Sequence, residues 1–379
     1  MRARVNLPAV LPYLAGLWLN GCGAPGPDDL QTAPEPVLVA GEPAGSLAGF
    51  ERILEEHRAR LNVPGLGAAI VKDRQVVWAA GFGYANRERG VRATADTPFH
   101  LASLTKTFAS TVIMQLVEEG TLDLEAPVSE FGIQLQSPGT VRVKHLLTHT
   151  SEGVPGDRYQ YNGARFGLLD TVVEVASGVS FCELLADRIL RPLELLNTAP
   201  NPLAVDNCYF PSAAQEDAFQ QRMAQGYRSD GRTPIEYPDY FGTAAGLVAS
   251  ARDVATYSIA IDQGRFLRPQ TQEQVFTPAI SNSGQTLPYG LGWFVQSHPR
   301  GVRIAWHYGY WTANSSLIVK VLDPQLAFVL LANSDMLSRA SPDIGTDADA
   351  ERSAWAAEFL NAFVFGDAPL PDRPARVQG

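Results

Sequence analysis

Residues 96–120 read DTPFHLASLTKTFASTVIMQLVEEG and form the most informative stretch of the chain. Its second half predicts a buried helix, because apolar residues recur at steps of three and four and Gly120 ends the run. The apolar positions are Phe108, Val112, Ile113, Leu116 and Val117. Ser103 and Lys106 precede them three positions apart, a spacing that puts both side chains on one helical face.

The Ser103–Lys106 pair has the chemistry of an activated nucleophile. A serine hydroxyl is a poor nucleophile at its ordinary pKa and needs a neighbouring base, and a helix N-terminus favours negative charge that develops beside it. The chain has only four lysines among its 30 Lys and Arg residues. Lysine, unlike arginine, gives up its proton when it is desolvated. The alternative interpretation is a solvated helix turn that carries a Ser and a Lys by chance.

The composition narrows the class of protein. The chain has 379 residues, of which 45% are hydrophobic and 18% charged. It is therefore globular rather than disordered, and long enough for one large core or two modest ones. Its formal net charge of −10, with no basic patch, argues against nucleic acid as a partner.

The first 22 residues have the features of an export signal. Arg2 and Arg4 precede an apolar run over residues 7–19, which is too short for a membrane span. The run ends in L-N-G-C, which resembles a bacterial lipoprotein box and predicts lipidation of Cys22. An ordinary secretory signal cleaved nearby is the alternative, and both interpretations predict export. Residues 23–45 are rich in Pro, Gly and Ala and predict a flexible linker.

The order of the remaining patterns predicts an α+β fold. In sequence they are a helix at 47–61, a hairpin at 66–71 and 75–84, helical pieces at 143–151, 166–176 and 181–190, a helix capped by Ser250, strands at 303–307, 314–322 and 326–333, and a helix at 349–365. Strands from both ends of the chain thus surround a mostly helical insert. This order predicts an antiparallel sheet flanked by terminal helices, with a second, mostly helical lobe.

Two further pairs of residues have suggestive spacings. His145 and His149 are four apart, a spacing that metals use, but no Glu follows His145 as in H-E-x-x-H and no third ligand is evident. They are better interpreted as histidines that pack or bond loops. Cys182 and Cys208 remain once Cys22 is set aside, and in an oxidising compartment they either pair or stay as buried thiols.

Several ordered motifs resemble the class C β-lactamase-like serine hydrolases, a group of β-lactamases, D-alanyl-D-alanine peptidases, D-aminopeptidases and esterases. S-x-x-K, here Ser103 to Lys106, is a signature of penicillin-recognising serine enzymes. The matching stretches are Gly81 to Tyr84, Thr97 to Lys106, Leu146 to Ser151, Ala244 to Asp253 and Trp306 to Trp311. The resemblance implies a β-lactamase/transpeptidase-like fold. Its expected hydrolase domain covers 46–369, with a sheet lobe at about 46–100 and 288–369, a helical lobe at about 101–287, and a tail at 370–379.

The family's second motif is Y-x-N, whose tyrosine is the proton-transfer partner of the serine. Tyr159 and Tyr161 are both candidates, and counting back from Phe166 selects Tyr161. Gly163 then stands where the family usually has Asn, a side chain that bonds the lysine and the acyl amide of the substrate. Amide-type substrates are therefore in doubt. Asn162 is a candidate substitute through a shift of the loop.

The family's third motif resembles its H-x-G variant here, at His307-Tyr-Gly309. By this resemblance the N–H groups of Ser103 and Tyr310 form the oxyanion hole that stabilises a tetrahedral intermediate. Gly309 is expected to let the substrate approach the strand closely, and His307 to donate to a substrate carboxylate or carbonyl. The lysine of the K-T-G form is missing, and with it a fixed positive charge for a penicillin-type carboxylate.

These residues predict an exported serine hydrolase that works through an acyl-enzyme, with Ser103 attacking and Lys106 and Tyr161 moving the proton. We expect a small-molecule or peptidoglycan-derived substrate, with esters or D-amino-acid peptides ahead of β-lactams. The alternatives are a penicillin-binding cell-envelope protein that acylates slowly or only binds, and a true β-lactamase. The expected location is the periplasm or cell envelope of a bacterium, with membrane contact only through a lipid on Cys22. No metal or organic cofactor is expected.

Overall fold

The computed structural model describes residues 46–204, 208–366 and 369–370. The predicted signal at 1–22, the predicted linker at 23–45 and, apart from residue 370, the predicted tail at 370–379 lie outside these residues. In the described part of the chain, no helix combines the length and apolar character needed to cross a lipid bilayer.

The strands come from both ends of the chain, as the order of patterns predicts. They are β1 (Gly65–Lys72), β2 (Gln75–Asn86), β3 (Val91–Arg92), β4 (Phe99–His100), β5 (Ala199–Pro200), β6 (Gly226–Tyr227), β7 (Pro234–Ile235), β8 (Leu247–Ala249), β9 (Phe294–Ser297), β10 (Arg303–Trp311), β11 (Asn314–Val321) and β12 (Leu326–Ala332). Seven of them form an antiparallel sheet in the order β3-β2-β1-β12-β11-β10-β9. Its main strands confirm the predicted hairpin and the three predicted C-terminal strands.

The helices complete an α+β, β-lactamase/transpeptidase-like fold. They are α1 (Leu47–Arg60), α2 (Thr105–Glu118), α3 (Val143–Leu147), α4 (Gly163–Gly167), α5 (Leu169–Ser177), α6 (Phe181–Leu185), α7 (Ala213–Arg222), α8 (Ala251–Asp262), α9 (Pro269–Val275), α10 (Met336–Arg339), α11 (Ile344–Asp347) and α12 (Ala354–Phe363). Short 3₁₀ turns lie at Ala102–Leu104, Val128–Phe131 and Ala350–Arg352, and a π-helical turn lies at Ala186–Leu190. The fold class predicted from the sequence is confirmed.

The two faces of the sheet build two cores, because side chains alternate along a strand. On β12, Phe328 and Leu330 join the core formed with α1 and α12, whereas Val329 and Leu331 join the core formed with α2 and α8. Phe50 of α1 contacts Phe328 edge to face, with ring centroids 5.4 Å apart. The first core fixes the terminal helices, and the second holds the helix that carries the catalytic lysine candidate.

Three predicted helical pieces differ from the structure. The piece at 143–151 stops at Leu147, because His149 adopts a left-handed backbone with φ of 53°. The piece at 166–176 is divided between α4 and α5, and the piece at 181–190 passes from α6 into the π-helical turn. Cys182 and Cys208, whose state the sequence leaves open, form a disulfide.

Candidate active site

Ser103 lies on a strained turn between the sheet and α2. Ala102, immediately before it, has φ of 48°, an uncommon conformation for a residue with a side chain. Two contacts hold this turn: the Ala102 N–H donates to Nδ1 of the buried His100 at 3.1 Å, and the Leu101 N–H donates to the Leu247 carbonyl at 2.8 Å. The turn presents Ser103, which is partly exposed, at the head of α2.

Lys106 is fully buried in the first turn of α2, beside Ser103. Its Nζ lies 3.0 Å from Ser103 Oγ and donates to the carbonyl oxygen of Ala244 at 2.7 Å. The rings of Tyr161 and Phe166 lie 5.3 and 5.2 Å from Nζ. Burial lowers the pKa of Lys106 to about 7, because a low-dielectric surrounding disfavours the charged amine. A large fraction of this amine is therefore neutral, and able to accept a proton, near neutral pH.

Tyr161 joins this pair, and Tyr159 does not. The Tyr161 ring lies 5.3 Å from Lys106 Nζ, and burial raises the pKa of its phenol far above the ordinary value. Tyr161 is thus a neutral phenol that can pass a proton on but cannot act as the primary base. The hydroxyl of Tyr159 instead donates to the Gly345 carbonyl at 3.3 Å. Of the two tyrosines, Tyr161 is thus the one beside Lys106, and the roles of Tyr161 and Lys106 in proton transfer stay predictions.

The loop after Tyr161 differs from the expectation for Asn162. Its side-chain oxygen caps α4 by accepting from the Arg165 N–H at 2.9 Å, and its amide donates to Glu152. Asn162 is therefore a helix cap and does not replace the missing family Asn. A Cβ on Gly163, however, would lie 3.9 Å from Lys106 Nζ with no other atom within 4 Å. Position 163 thus faces the lysine across open space.

His307 is buried on β10 with both ring nitrogens already bonded. Nδ1 lies 2.7 Å from the Tyr308 carbonyl oxygen, which can only accept, so Nδ1 carries the proton. Nε2 then accepts from the Tyr289 hydroxyl at 2.8 Å. Burial, followed by the charge of Lys106, lowers the pKa of His307 to about 3. The expectation that His307 donates to a substrate needs correction, because this neutral ring has no unpaired N–H.

Gly309 is a glycine for a different reason from the one expected. A Cβ there would lie 2.1 Å from the Leu101 carbonyl oxygen and 2.3 Å from Ser316 Oγ. The missing side chain makes room for the serine turn to pack on β10, not for a substrate. Tyr310, the residue after Gly309 on β10, is half-exposed. The oxyanion hole predicted from the N–H groups of Ser103 and Tyr310 remains a prediction.

A Beta-lactamase family model matches residues 50–351, which is most of the chain. The chain belongs to the Beta-lactamase family.

Known proteins of this family resemble the chain over most of its length. It is 24% identical to penicillin-binding protein 4* of Bacillus subtilis (strain 168), covering 86% of this chain and 77% of that protein. It is 26% identical to a D-aminopeptidase of Gluconobacter oxydans (strain 621H), covering 65% of this chain and 51% of the relative. The solved structure of an octameric penicillin-binding protein homologue from Pyrococcus abyssi superposes with a TM-score of 0.71 and 26% identity, covering 85% of this chain and 78% of that one.

His145 and His149, which follow α2 in the chain, accept hydrogen bonds from the loops around the site. Nδ1 of His145 accepts from the Arg142 N–H at 3.1 Å, and Nδ1 of His149 accepts from the Asn162 N–H at 3.2 Å. The His149 ring also packs at a tilt against the Tyr161 ring, with centroids 4.1 Å apart. These contacts confirm the loop-bonding interpretation. Among the described residues, no group of three or more His, Cys, Asp or Glu is arranged to hold a metal ion.

Two contributors to the site escape the sequence reasoning. The Ala244 carbonyl bonds the lysine, yet Ala244 carries no side chain that would announce a role. Tyr289 fixes the protonation of His307 from a segment without a motif. For Ala244 the available signal is that residues 244–253 resemble a stretch of the family, and this resemblance does not say what the segment does.

Proposed function

We propose that this protein is a serine hydrolase that forms an acyl-enzyme on Ser103. The observation that carries the proposal is the 3.0 Å separation of Lys106 Nζ and Ser103 Oγ, with a lysine whose pKa burial lowers to about 7. The Ser103 oxygen attacks the substrate carbonyl carbon while its proton moves to Lys106. Lys106, through Tyr161, then protonates the leaving group as its bond to carbon breaks. Water hydrolyses the resulting ester, and Ser103 recovers its proton.

The substrate class follows from what surrounds the amine. Gly163 leaves position 163 without the amide that would bond an acyl amide, and His307 offers neither a charge nor a free N–H to a carboxylate. A site that lacks these partners gains little from substrates that carry both groups. We therefore propose simple esters, with peptidoglycan-like D-amino-acid peptides second, as better substrates than β-lactams.

A second function is favoured by the same open position at Gly163 and by the similarity to penicillin-binding protein 4*. In this alternative the protein is a penicillin-binding cell-envelope protein that acylates and then stalls, because deacylation is slow. It shares Ser103 as nucleophile, so only turnover separates the two candidates.

The test is a hydrolysis panel with p-nitrophenyl butyrate, D-alanine p-nitroanilide and nitrocefin, alongside labelling by a fluorescent penicillin. We expect ester turnover that Ser103→Ala abolishes. Stoichiometric labelling without turnover of any substrate supports the penicillin-binding alternative. No turnover and no labelling of the folded wild type contradicts both.

We further propose that the protein is exported to the cell envelope and anchored by lipid on Cys22. The support is the sequence of residues 1–22, in which arginines precede an apolar run that ends in L-N-G-C. The hydrolase domain would then work close to a membrane through its lipid alone.

A further inference from the structure

Asp170, on α5, is a partly buried carboxylate that the proposed proton transfer does not use. Its partners come from one segment of the helical lobe, the residues before β8. Oδ1 accepts from the Thr243 N–H at 2.6 Å, and Oδ2 accepts from the Tyr240 hydroxyl at 3.4 Å. Burial raises the pKa of Asp170 to about 6. Above that pH the carboxylate is ionised and accepts these bonds as a charged group, which makes them stronger than neutral ones.

The segment fits closely over this carboxylate. A Cβ on Gly242 would lie 2.4 Å from Asp170 Oδ2 and 2.6 Å from Tyr240 Oη, so a side chain there would have to displace these two groups. Thr243 is held a second time, by donation from its hydroxyl to the Phe166 carbonyl at 3.3 Å. Asp170 therefore fixes the backbone at Gly242 and Thr243 from one side.

The same segment forms a tight turn that ends at the lysine. The Gly242 N–H donates to the Ala245 carbonyl at 2.9 Å, and the Ala245 N–H donates back to the Gly242 carbonyl at 3.3 Å. Between them lies Ala244, whose carbonyl oxygen accepts from Lys106 Nζ at 2.7 Å. One carboxylate thus holds a tight turn, and the Ala244 carbonyl of this turn bonds the amine.

We propose that Asp170 is a positioning residue for Lys106, acting through the turn at residues 242–245. This inference rests on the proposed function in one respect, namely that Lys106 is the base of the proposed reaction. A carbonyl bonded to one N–H of the neutral amine directs the nitrogen lone pair away from Ala244 and toward Ser103 Oγ–H. The carbonyl also stabilises the ammonium more than the amine, because a charged donor makes the stronger bond.

Because the Ala244 carbonyl binds the ammonium more strongly than the amine, its position affects the pKa of Lys106. If the Ala244 carbonyl moves away, the ammonium loses a partner and the pKa of Lys106 falls. The other titratable groups that face Lys106 are Tyr161, His149 and His307. Those that face Asp170 are Tyr240 and, from its own helix, Glu174. None of these is changed by the substitutions below, except Glu174 in the control.

The experiment titrates Lys106 directly in protein labelled with ¹³C and ¹⁵N at its lysine side chains. With four lysines in the chain the spectrum is simple, and the Lys106 signal is the one that Lys106→Arg removes. In Asp170→Ala we expect the pKa of Lys106 to fall by about one pH unit, the equivalent of one hydrogen bond to a charged group. Asp170→Asn keeps an acceptor for the Thr243 N–H and should restore most of the wild-type titration. Glu174→Gln, at an exposed neighbour, should leave it unchanged.

A second variant perturbs the turn from its other side. Gly242→Ala pushes a methyl group against Asp170, so it should also lower the pKa of Lys106, and it serves where Asp170→Ala does not fold. In both variants kcat for the ester should fall about tenfold with KM nearly unchanged. An unchanged Lys106 titration in folded Asp170→Ala or Gly242→Ala overturns the inference. The titration of Lys106 needs no turnover. An inactive wild type would therefore contradict the proposed function, whereas the inference about Asp170 would still be decided by the titration alone.

Discussion

The hydroxyl of Tyr289 lies 2.8 Å from Nε2 of His307, and both side chains are fully buried. Since Nδ1 of the same ring donates to the Tyr308 carbonyl at 2.7 Å, His307 is locked as one neutral tautomer. The histidine of the third family motif is therefore a neutral, fully bonded ring that brings no positive charge to this part of the structure.

Replacing Tyr289 by Phe should destabilise the fold. It removes the hydroxyl and leaves Nε2 of His307 buried without a donor, which costs about 1–3 kcal/mol in the free energy of unfolding. Urea denaturation measures this loss. Tyr159→Phe is the control, because the bond it removes is a longer one of 3.3 Å to the Gly345 carbonyl, and its loss should be smaller. Equal stability of Tyr289→Phe and the wild type would show that this bond contributes nothing.

Lys106→Arg should lose most acylation even though it keeps a positive charge. A guanidinium stays protonated at working pH and cannot accept the Ser103 proton, so ester kcat/KM should fall on the order of a hundredfold or more. Lys144→Arg is the matched control, because Lys144 lies at the surface and pairs with Glu125 at 2.6 Å. Near-wild-type activity of Lys106→Arg would mean that the site needs a cation and not a base.

The pH dependence of acylation should report the titration of Lys106. Its pKa is lowered to about 7 by burial, and only the neutral amine accepts a proton. The kcat/KM for p-nitrophenyl butyrate should therefore rise with pH through about 7 and fall about tenfold per pH unit on the acid side. No alkaline limb from Tyr161 is expected below pH 10, because burial raises the pKa of this phenol. A profile flat from pH 5 to pH 9 would exclude Lys106 as the base.

Much of this site follows from local sequence patterns, and the remainder depends on contacts between distant residues. Ser103 and Lys106 are three apart on one helix, so a local rule places them together. The Ala244 carbonyl reaches Lys106 from 138 residues away, and a backbone atom leaves no trace in a side-chain pattern. Gly309 shows the same limit. The sequence contains the glycine, but it does not reveal that Leu101 and Ser316 occupy the space beside it.

The local rules also misplace one end of a helix. The predicted helix runs on to Ser151, yet the chain leaves the helix after Leu147, and His149 accepts from the Asn162 N–H and packs at a tilt against Tyr161. Tertiary contacts at the site override helix propensity there. Asn162 differs from its expected role because an Asn before a short helix is a good cap, and its side chain accepts from the Arg165 N–H.

The proposed lipid anchor on Cys22 is tested by Cys22→Ser, expressed in the native host or in a bacterial host that lipidates lipoprotein signals. The wild type should sediment with membranes and carry a fatty acid detectable by mass spectrometry. Cys22→Ser should be released or remain unprocessed. Soluble wild-type protein whose mature N-terminus is a residue other than Cys22 would contradict the anchor and leave ordinary secretion as the explanation.

Gly163 leaves an open position beside Lys106. A Cβ there would lie 3.9 Å from Lys106 Nζ and meet no other atom within 4 Å, so an Asn side chain has room to grow toward the amine. Its amide would bond Lys106 and an acyl amide of the substrate. Nitrocefin carries such an amide and p-nitrophenyl butyrate does not. Gly163→Asn should therefore raise kcat/KM for nitrocefin relative to the ester by about tenfold, the value of one good hydrogen bond.

Gly163→Ala separates the amide from the added bulk. It fills the Cβ position without a hydrogen-bonding group, and the space beside Gly163 accepts a methyl group without a clash. The nitrocefin-to-ester ratio of Gly163→Ala should stay near that of the wild type while Gly163→Asn changes it. If both variants change the ratio equally, the shape of the pocket selects the substrate and not the missing amide. If the folded Asn variant leaves the ratio unchanged, or if the wild type already prefers nitrocefin, the preference for esters does not arise at position 163.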